Sequence, residues 1–153
     1  AEIDGYHFYM MAANSTQDPQ GRDVFQTLAR EEQDHARYLQ AQRDALLQTG
    51  SPDPNLTLGP RVDLEGDSPI FSEKLKGRLK EAHFEMSALS IGMQLELSAQ
   101  KYYRSLADEA ADEAVKSFFN ELADWEAGHY AALSSQQETL KEDYWAASGF
   151  SPF

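Results

Sequence analysis

Apolar residues return at helical intervals in two long stretches of the chain. From Asp18 to about Gln48 they fall at Phe25, Leu28, Ala29, Leu39 and Leu46, and from Asp112 towards Trp145 at Phe119, Leu122, Ala123, Leu133 and Leu140. Side chains three, four and seven residues apart share one face of an α-helix, so each stretch predicts a long amphipathic helix. The ends are marked as well: Asp18-Pro19 supplies a capping carboxylate and a first-turn proline, Thr49-Gly50 a stop, and Gly149 and Pro152 lie beyond the second stretch. Residues 1–14 and 87–110 read as the helices that precede these two. Between the halves, TGSPDPNLTLGPRVDLEGDSP is rich in Pro, Gly, Asp and Ser and predicts a crossing loop, with a short helix over 69–80 after it. No β-strand pattern stands out. The expectation is one all-α domain over residues 1–153, with a hairpin over 1–49, a crossover over 50–86 and a second hairpin over 87–148. These would form an antiparallel four-helix bundle with a long connection between its second and third helices. The third helix has about nine residues ahead of Glu96 and the first has one ahead of Glu2, so the first helix is expected to be incomplete, with residues upstream extending it.

The two halves also match each other. EIDGYHFY, from Glu2 to Tyr9, and ELSAQKYY, from Glu96 to Tyr103, each place a tyrosine seven residues after a glutamate. Laid without a gap over residues 95–140, residues 1–46 give twelve identities, among them Glu2/Glu96, Tyr9/Tyr103, Asp18/Asp112, Glu32/Glu126 and His35/His129. Chance would give roughly three, and the matches include the helix caps, the core positions and every residue with ligand chemistry. A two-helix hairpin used twice is the simplest account, with an approximate internal two-fold.

Hairpin geometry then concentrates the chemistry. Glu2 and Glu32 lie 30 residues apart about a turn near Thr16 or Gln17, and Glu96 and Glu126 lie 30 apart about a turn near Ala110. At about 1.5 Å per residue each pair reaches a common height. Glu32-x-x-His35 and Glu126-x-x-His129 set a carboxylate and an imidazole on one helix face. Four carboxylates and two imidazoles inside a bundle repel one another and would protonate unless a counter-charge is present. Two metal ions supply it, and the mixed oxygen and nitrogen set suits iron, manganese or a mixed pair better than calcium. Metal ligation is therefore expected at Glu2, Glu32, His35, Glu96, Glu126 and His129. One Glu-x-x-His would mean little, since most such pairs are solvated helix surface. Two at the repeat offset, each with a glutamate 30 residues earlier, carry the reading. Tyr9 and Tyr103 fit either core packing or hydrogen bonding to ligands. His7 and His83 are expected at the surface or in packing, Glu31 solvated on a different face from Glu32, and Trp125 packed. The aromatic tail KEDYWAASGFSPF is expected to pack on the bundle or on a partner subunit.

Composition narrows the partners. Thirteen basic residues against 26 acidic ones give a net charge of -13, which repels nucleic acid and anionic membrane surfaces and attracts cations. There are no cysteines, which excludes disulfides, iron–sulfur clusters and any cysteine-ligated iron module within this chain. Without an apolar run of membrane length or a signal-peptide pattern, a cytoplasmic protein is expected.

At Glu2, Glu32-x-x-His35, Glu96 and Glu126-x-x-His129 the sequence resembles the rubrerythrin branch of the ferritin-like superfamily, over nearly the whole chain. The resemblance implies a ferritin-like bundle and a di-iron centre that reacts with hydrogen peroxide or oxygen in oxidative-stress defence, in a homodimer. Two features depart from that branch. A further glutamate usual one turn after the third-helix ligand, which exchanges with a histidine during the redox cycle, is here Ala99. The rubredoxin-like domain is also missing, so electrons would come from a separate donor such as a rubredoxin-like protein. The alternatives are a ferroxidase or iron-handling protein, and a non-catalytic scaffold stabilised by metal.

Overall fold

A computed structural model describes residues 2–59, 72 and 82–147. The described residues are all-α, with four helices and no strand: α1 (Glu2–Ser15), α2 (Pro19–Thr49), α3 (His83–Glu109) and α4 (Glu113–Ala147). The expected short helix over 69–80, Ser72 apart, and the part of the C-terminal tail beyond Ala147 lie outside the described residues. No described helix is long and apolar enough to cross a membrane.

Local chemistry sets the helix ends. Asp18 caps α2 by accepting from the Gly21 amide at 2.9 Å, with Pro19 in the first turn, where its missing N–H costs nothing. Asp112 accepts from the amides of Ala114 and Val115 at 2.8 and 3.1 Å at the head of α4. At its far end α2 stops at Gly50, whose φ of 79° is the left-handed conformation that a side chain resists, and whose amide reaches back to the Leu46 carbonyl. The start of α3 differs from the expected Ser87. The helix begins at His83, behind Ala82, which offers no side-chain cap, so no capping residue marks the boundary in the sequence. Its first turn is tied instead by Glu85, which accepts from the Thr16 hydroxyl at 2.8 Å beside the α1–α2 turn.

Short turns make α1–α2 and α3–α4 antiparallel pairs. The pairs meet α1 to α3, through the Tyr9 and Tyr103 hydroxyls, and α2 to α4, through Glu31–His129 and Tyr38–Glu121. The connection after α2 is held near both ends of the bundle. Gln42 exchanges two hydrogen bonds with the Asp53 backbone, Leu58 packs with Tyr38 and Phe118, and Ser72 bonds Asp18 at the opposite end of α2.

The core has two apolar layers with a polar one between them. One layer contains Tyr9, Phe25, Leu28, Leu89, Leu133 and Leu140; the other contains Tyr38, Ala99, Phe118, Leu122 and Ala123. Along α2 the first ends at Ala29 and the second begins at Tyr38, and in the interval lie Glu31, Glu32 and His35. Three expected core residues, Leu39, Leu46 and Phe119, are only half-buried, because they line an open, largely apolar groove of about 900 Å³ to which all four helices contribute.

Candidate metal centre

All six expected ligands lie in the polar layer, and none is more than 5% exposed. Their ligand atoms form two overlapping groups, each within 4.8 Å: Glu2, Glu32, His35 and Glu126 in one, and Glu32, Glu96, Glu126 and His129 in the other. Glu32 and Glu126 belong to both. The two imidazole rings lie nearly parallel across the layer, with centroids 5.7 Å apart.

Each imidazole turns its Nδ1 towards carboxylates. For His35, Nδ1 is 3.2 Å from Glu126 and 3.5 Å from Glu2; for His129, Nδ1 is 3.6 to 3.7 Å from Glu32, Glu96 and Glu126. These separations permit ion pairing, yet the geometry makes no hydrogen bonds. Seven buried side-chain atoms among the described residues have no hydrogen-bond partner, and all belong to Glu2, Glu32, His35, Glu126 and His129. Buried polar atoms are almost always paired, and orphans gathered at one point are a donor set that a cation would satisfy. The donor set therefore fits a metal ion, and each group of four could hold one.

Electrostatics point the same way. Burial is the largest influence on Glu96 and pushes its carboxyl up to about 7, against the pull of His129. Burial also raises Glu32 well above the usual carboxylate range. For Glu126 burial is outweighed by His129 and His35, which hold it below that range. Burial would lower His35, but the facing carboxylates Glu126 and Glu2 outweigh it and carry the imidazole to about 10; His129 is raised by its own carboxylate neighbours. The layer thus holds protons where a metal ion would compete for the same lone pairs.

Tyr9 and Tyr103 are buried hydrogen-bond donors to this layer. The Tyr9 hydroxyl donates to Glu96 and the Tyr103 hydroxyl to Glu2, so each α1 or α3 carboxylate is oriented from the facing helix. Burial first, then the nearby carboxylates, raises both phenols, which keeps them protonated and donating. His7 and His83 are exposed, as expected. Trp125 packs, its ring perpendicular to that of His35 at 5.1 Å and to that of His129 at 6.4 Å.

Glu31 corrects the expectation that it is solvated. It is buried, and its Oε2 lies 2.6 Å from Nε2 of His129. A helix in a bundle touches more than one neighbour: the face of α2 carrying Glu32 looks into the layer, while Glu31, about 100° around the axis, meets α4. No signal in the sequence distinguishes it: the matching position of the second half holds Trp125, but most positions of the two matched segments differ.

Gly5 makes room for one ligand. A Cβ at that position would lie 2.8 Å from Oε2 of Glu32 and 3.1 Å from its carboxyl carbon. Gly5→Ala is expected to leave the metal-free helix intact or stabilise it by up to about 1 kcal/mol, since alanine favours helix. The same change should displace Glu32 and weaken metal binding at least about tenfold. Thermal melting of the metal-free protein beside a metal titration checks both parts, and unchanged affinity would show that Glu32 is not a ligand.

Comparison of the chain with protein-family models, curated proteins and solved structures gives no match in any of the three.

Proposed function

We propose that the chain is a rubrerythrin-type member of the ferritin-like di-iron carboxylate proteins, built on an internal two-fold, and that it reduces hydrogen peroxide or oxygen with electrons from a separate donor. The observation that carries this reading is the pair of overlapping four-ligand groups sharing Glu32 and Glu126. Glu2 with His35 would hold one ion and Glu96 with His129 the other, while Glu32 and Glu126 reach both. When bound, two ferrous ions supply one electron each and Lewis acidity towards an oxygen–oxygen bond. The protein's own part is to orient and to admit. Tyr9 and Tyr103 fix Glu96 and Glu2. A cavity of about 230 Å³ between α1 and α3, whose lining includes Gly5, Leu95, Ala99 and Tyr102, reaches Glu32 and Glu96 and would give a small oxidant a way to the layer. Ala99 carries no carboxylate, so no exchange of a glutamate for a histidine is proposed. Reduction of peroxide to two waters takes two electrons and two protons, which matches a two-ion store.

The charge of -13 favours a second reading, in which the surface gathers ferrous iron and the centre oxidises it for storage elsewhere. Rapid mixing of the diferrous protein decides between them. Faster oxidation by peroxide than by oxygen, with turnover on a reducing donor, is expected. Oxygen-driven turnover of excess ferrous iron would favour the second reading, and inertness to both oxidants would leave a structural metal site.

A further inference from the structure

The two halves of the metal layer differ behind their imidazoles. His129 directs Nε2 at Glu31, 2.6 Å away and buried with it. A carboxylate at Glu31 accepts from Nε2, so in the neutral imidazole that a metal ion needs the lone pair would fall on Nδ1, which faces Glu32, Glu96 and Glu126. His35 has no such support. The residue matching Glu31 is Trp125, set perpendicular to the His35 ring, and Nε2 of His35 is buried without a hydrogen-bond partner. An anionic partner behind a ligating imidazole locks its tautomer and orientation and strengthens it as a donor, and its loss commonly costs 10- to 100-fold in metal affinity.

We propose that Glu31 is a positioning residue that holds His129 in its Nδ1-donor form and makes the two metal positions unequal, so that the Glu96–His129 position fills first and more tightly than the Glu2–His35 position. This inference rests on the metal-centre reading above and adds an order of loading, a difference between the ions and a cause for both. The cause is a hydrogen bond behind His129 that His35 lacks, with Glu31 in one half matched by Trp125 in the other.

Cobalt(II) binding to the metal-free full chain, followed by visible absorption and calorimetry, tests it. The wild-type protein should bind two ions in steps whose affinities differ by about tenfold or more. Glu31→Gln keeps size and an acceptor oxygen but removes the charge, and should weaken the tighter step about tenfold while leaving the weaker one in place. Glu31→Leu should weaken it further. In the zinc-loaded protein, nitrogen–proton correlation spectra should show one strongly downfield imidazole N–H in wild type, moved upfield in Glu31→Gln and absent in Glu31→Leu. A merely structural Glu31 would not move that resonance selectively. Because Glu31→Leu could loosen the bundle, Trp125→Gln supplies an independent arm: an acceptor placed behind His35 should tighten the weaker step and narrow the gap. Two equal affinities in wild type, or a Glu31→Gln protein with both affinities intact, would overturn the inference and leave the metal centre standing. No stoichiometric cobalt binding in wild type would overturn both together.

Discussion

Glu32→Ala and Glu126→Ala are each expected to abolish binding of both ions, whereas His35→Ala and His129→Ala are each expected to remove one and leave the other. The difference follows from membership of the two ligand groups: each histidine belongs to one, and Glu32 and Glu126 belong to both. Losing either shared carboxylate takes an anionic ligand from each position at once. The fold should survive all four changes. Each site lies on a long helix held by the apolar layers on either side, and alanine is the most favourable helix residue. Removing Glu32, which burial already disfavours as a carboxylate, costs little beyond the space vacated, whereas Glu126 and the two histidines pair with one another and their loss costs more stability in the metal-free protein. Metal content per chain after reconstitution, read beside helical circular dichroism, checks the pattern. With two ions in wild type, the expected result is about one for each histidine variant and near zero for each glutamate variant, together with loss of two-electron oxidation in all four. Undiminished stoichiometry and oxidation rate in both histidine variants would show that the matched segments serve structure alone.

The meeting of the six candidate ligands in one buried layer was legible in the sequence because each position rests on a relation that survives without knowledge of neighbours. Glu32-x-x-His35 and Glu126-x-x-His129 share a face by helical geometry alone, and equal spacings about two turns place Glu2 and Glu96 at the same height. The caps at Asp18 and Asp112 and the stop at Gly50 were legible for the same reason, since capping is a matter of a few consecutive residues. What could not be read depends on which helix lies beside which. Glu31 is polar and next to a candidate ligand, so its own helix offers no reason to bury it; the reason is His129 on α4. Leu39 and Phe119 carry the right period for a core, yet Tyr38 and Phe118 take the inner positions, and the expected residues line the groove. The start of α3 was missed because Ala82 does no capping and the tie, from Thr16 to Glu85, comes from the other hairpin.

The metal-free protein is expected to lose stability as pH rises from 5 to 9, and the metal-loaded protein to do the reverse. Glu96 has a folded pKa raised from 4.5 to about 7, chiefly by burial. A raised pKa means that the folded state holds the proton more tightly than the unfolded chain, so its contribution is fully present below 4.5 and is lost as pH rises through 7. Glu32 is displaced in the same direction. His35 is raised from 6.5 to about 10, so its contribution is whole below 6.5 and is lost on passing 10. Glu126 runs the other way, but its window lies below 4.5 and contributes no slope above it. Growing negative charge on a chain already at -13 adds to the trend. Glu96 alone corresponds to a change on the order of 3 kcal/mol, so with the histidines the melting temperature of the metal-free protein should fall by about 10 °C or more across this range. Metal ions bind the deprotonated ligands, so their apparent affinity rises as those protons leave, and the stabilisation they confer grows with the ratio of free metal to dissociation constant. Melting curves at pH 5, 7 and 9, with chelator and with two equivalents of metal, should therefore nearly converge at pH 5 and diverge steadily above it. Parallel curves with a constant gap would mean that protons and metal do not compete for these six side chains, and would move the metal site elsewhere in the molecule.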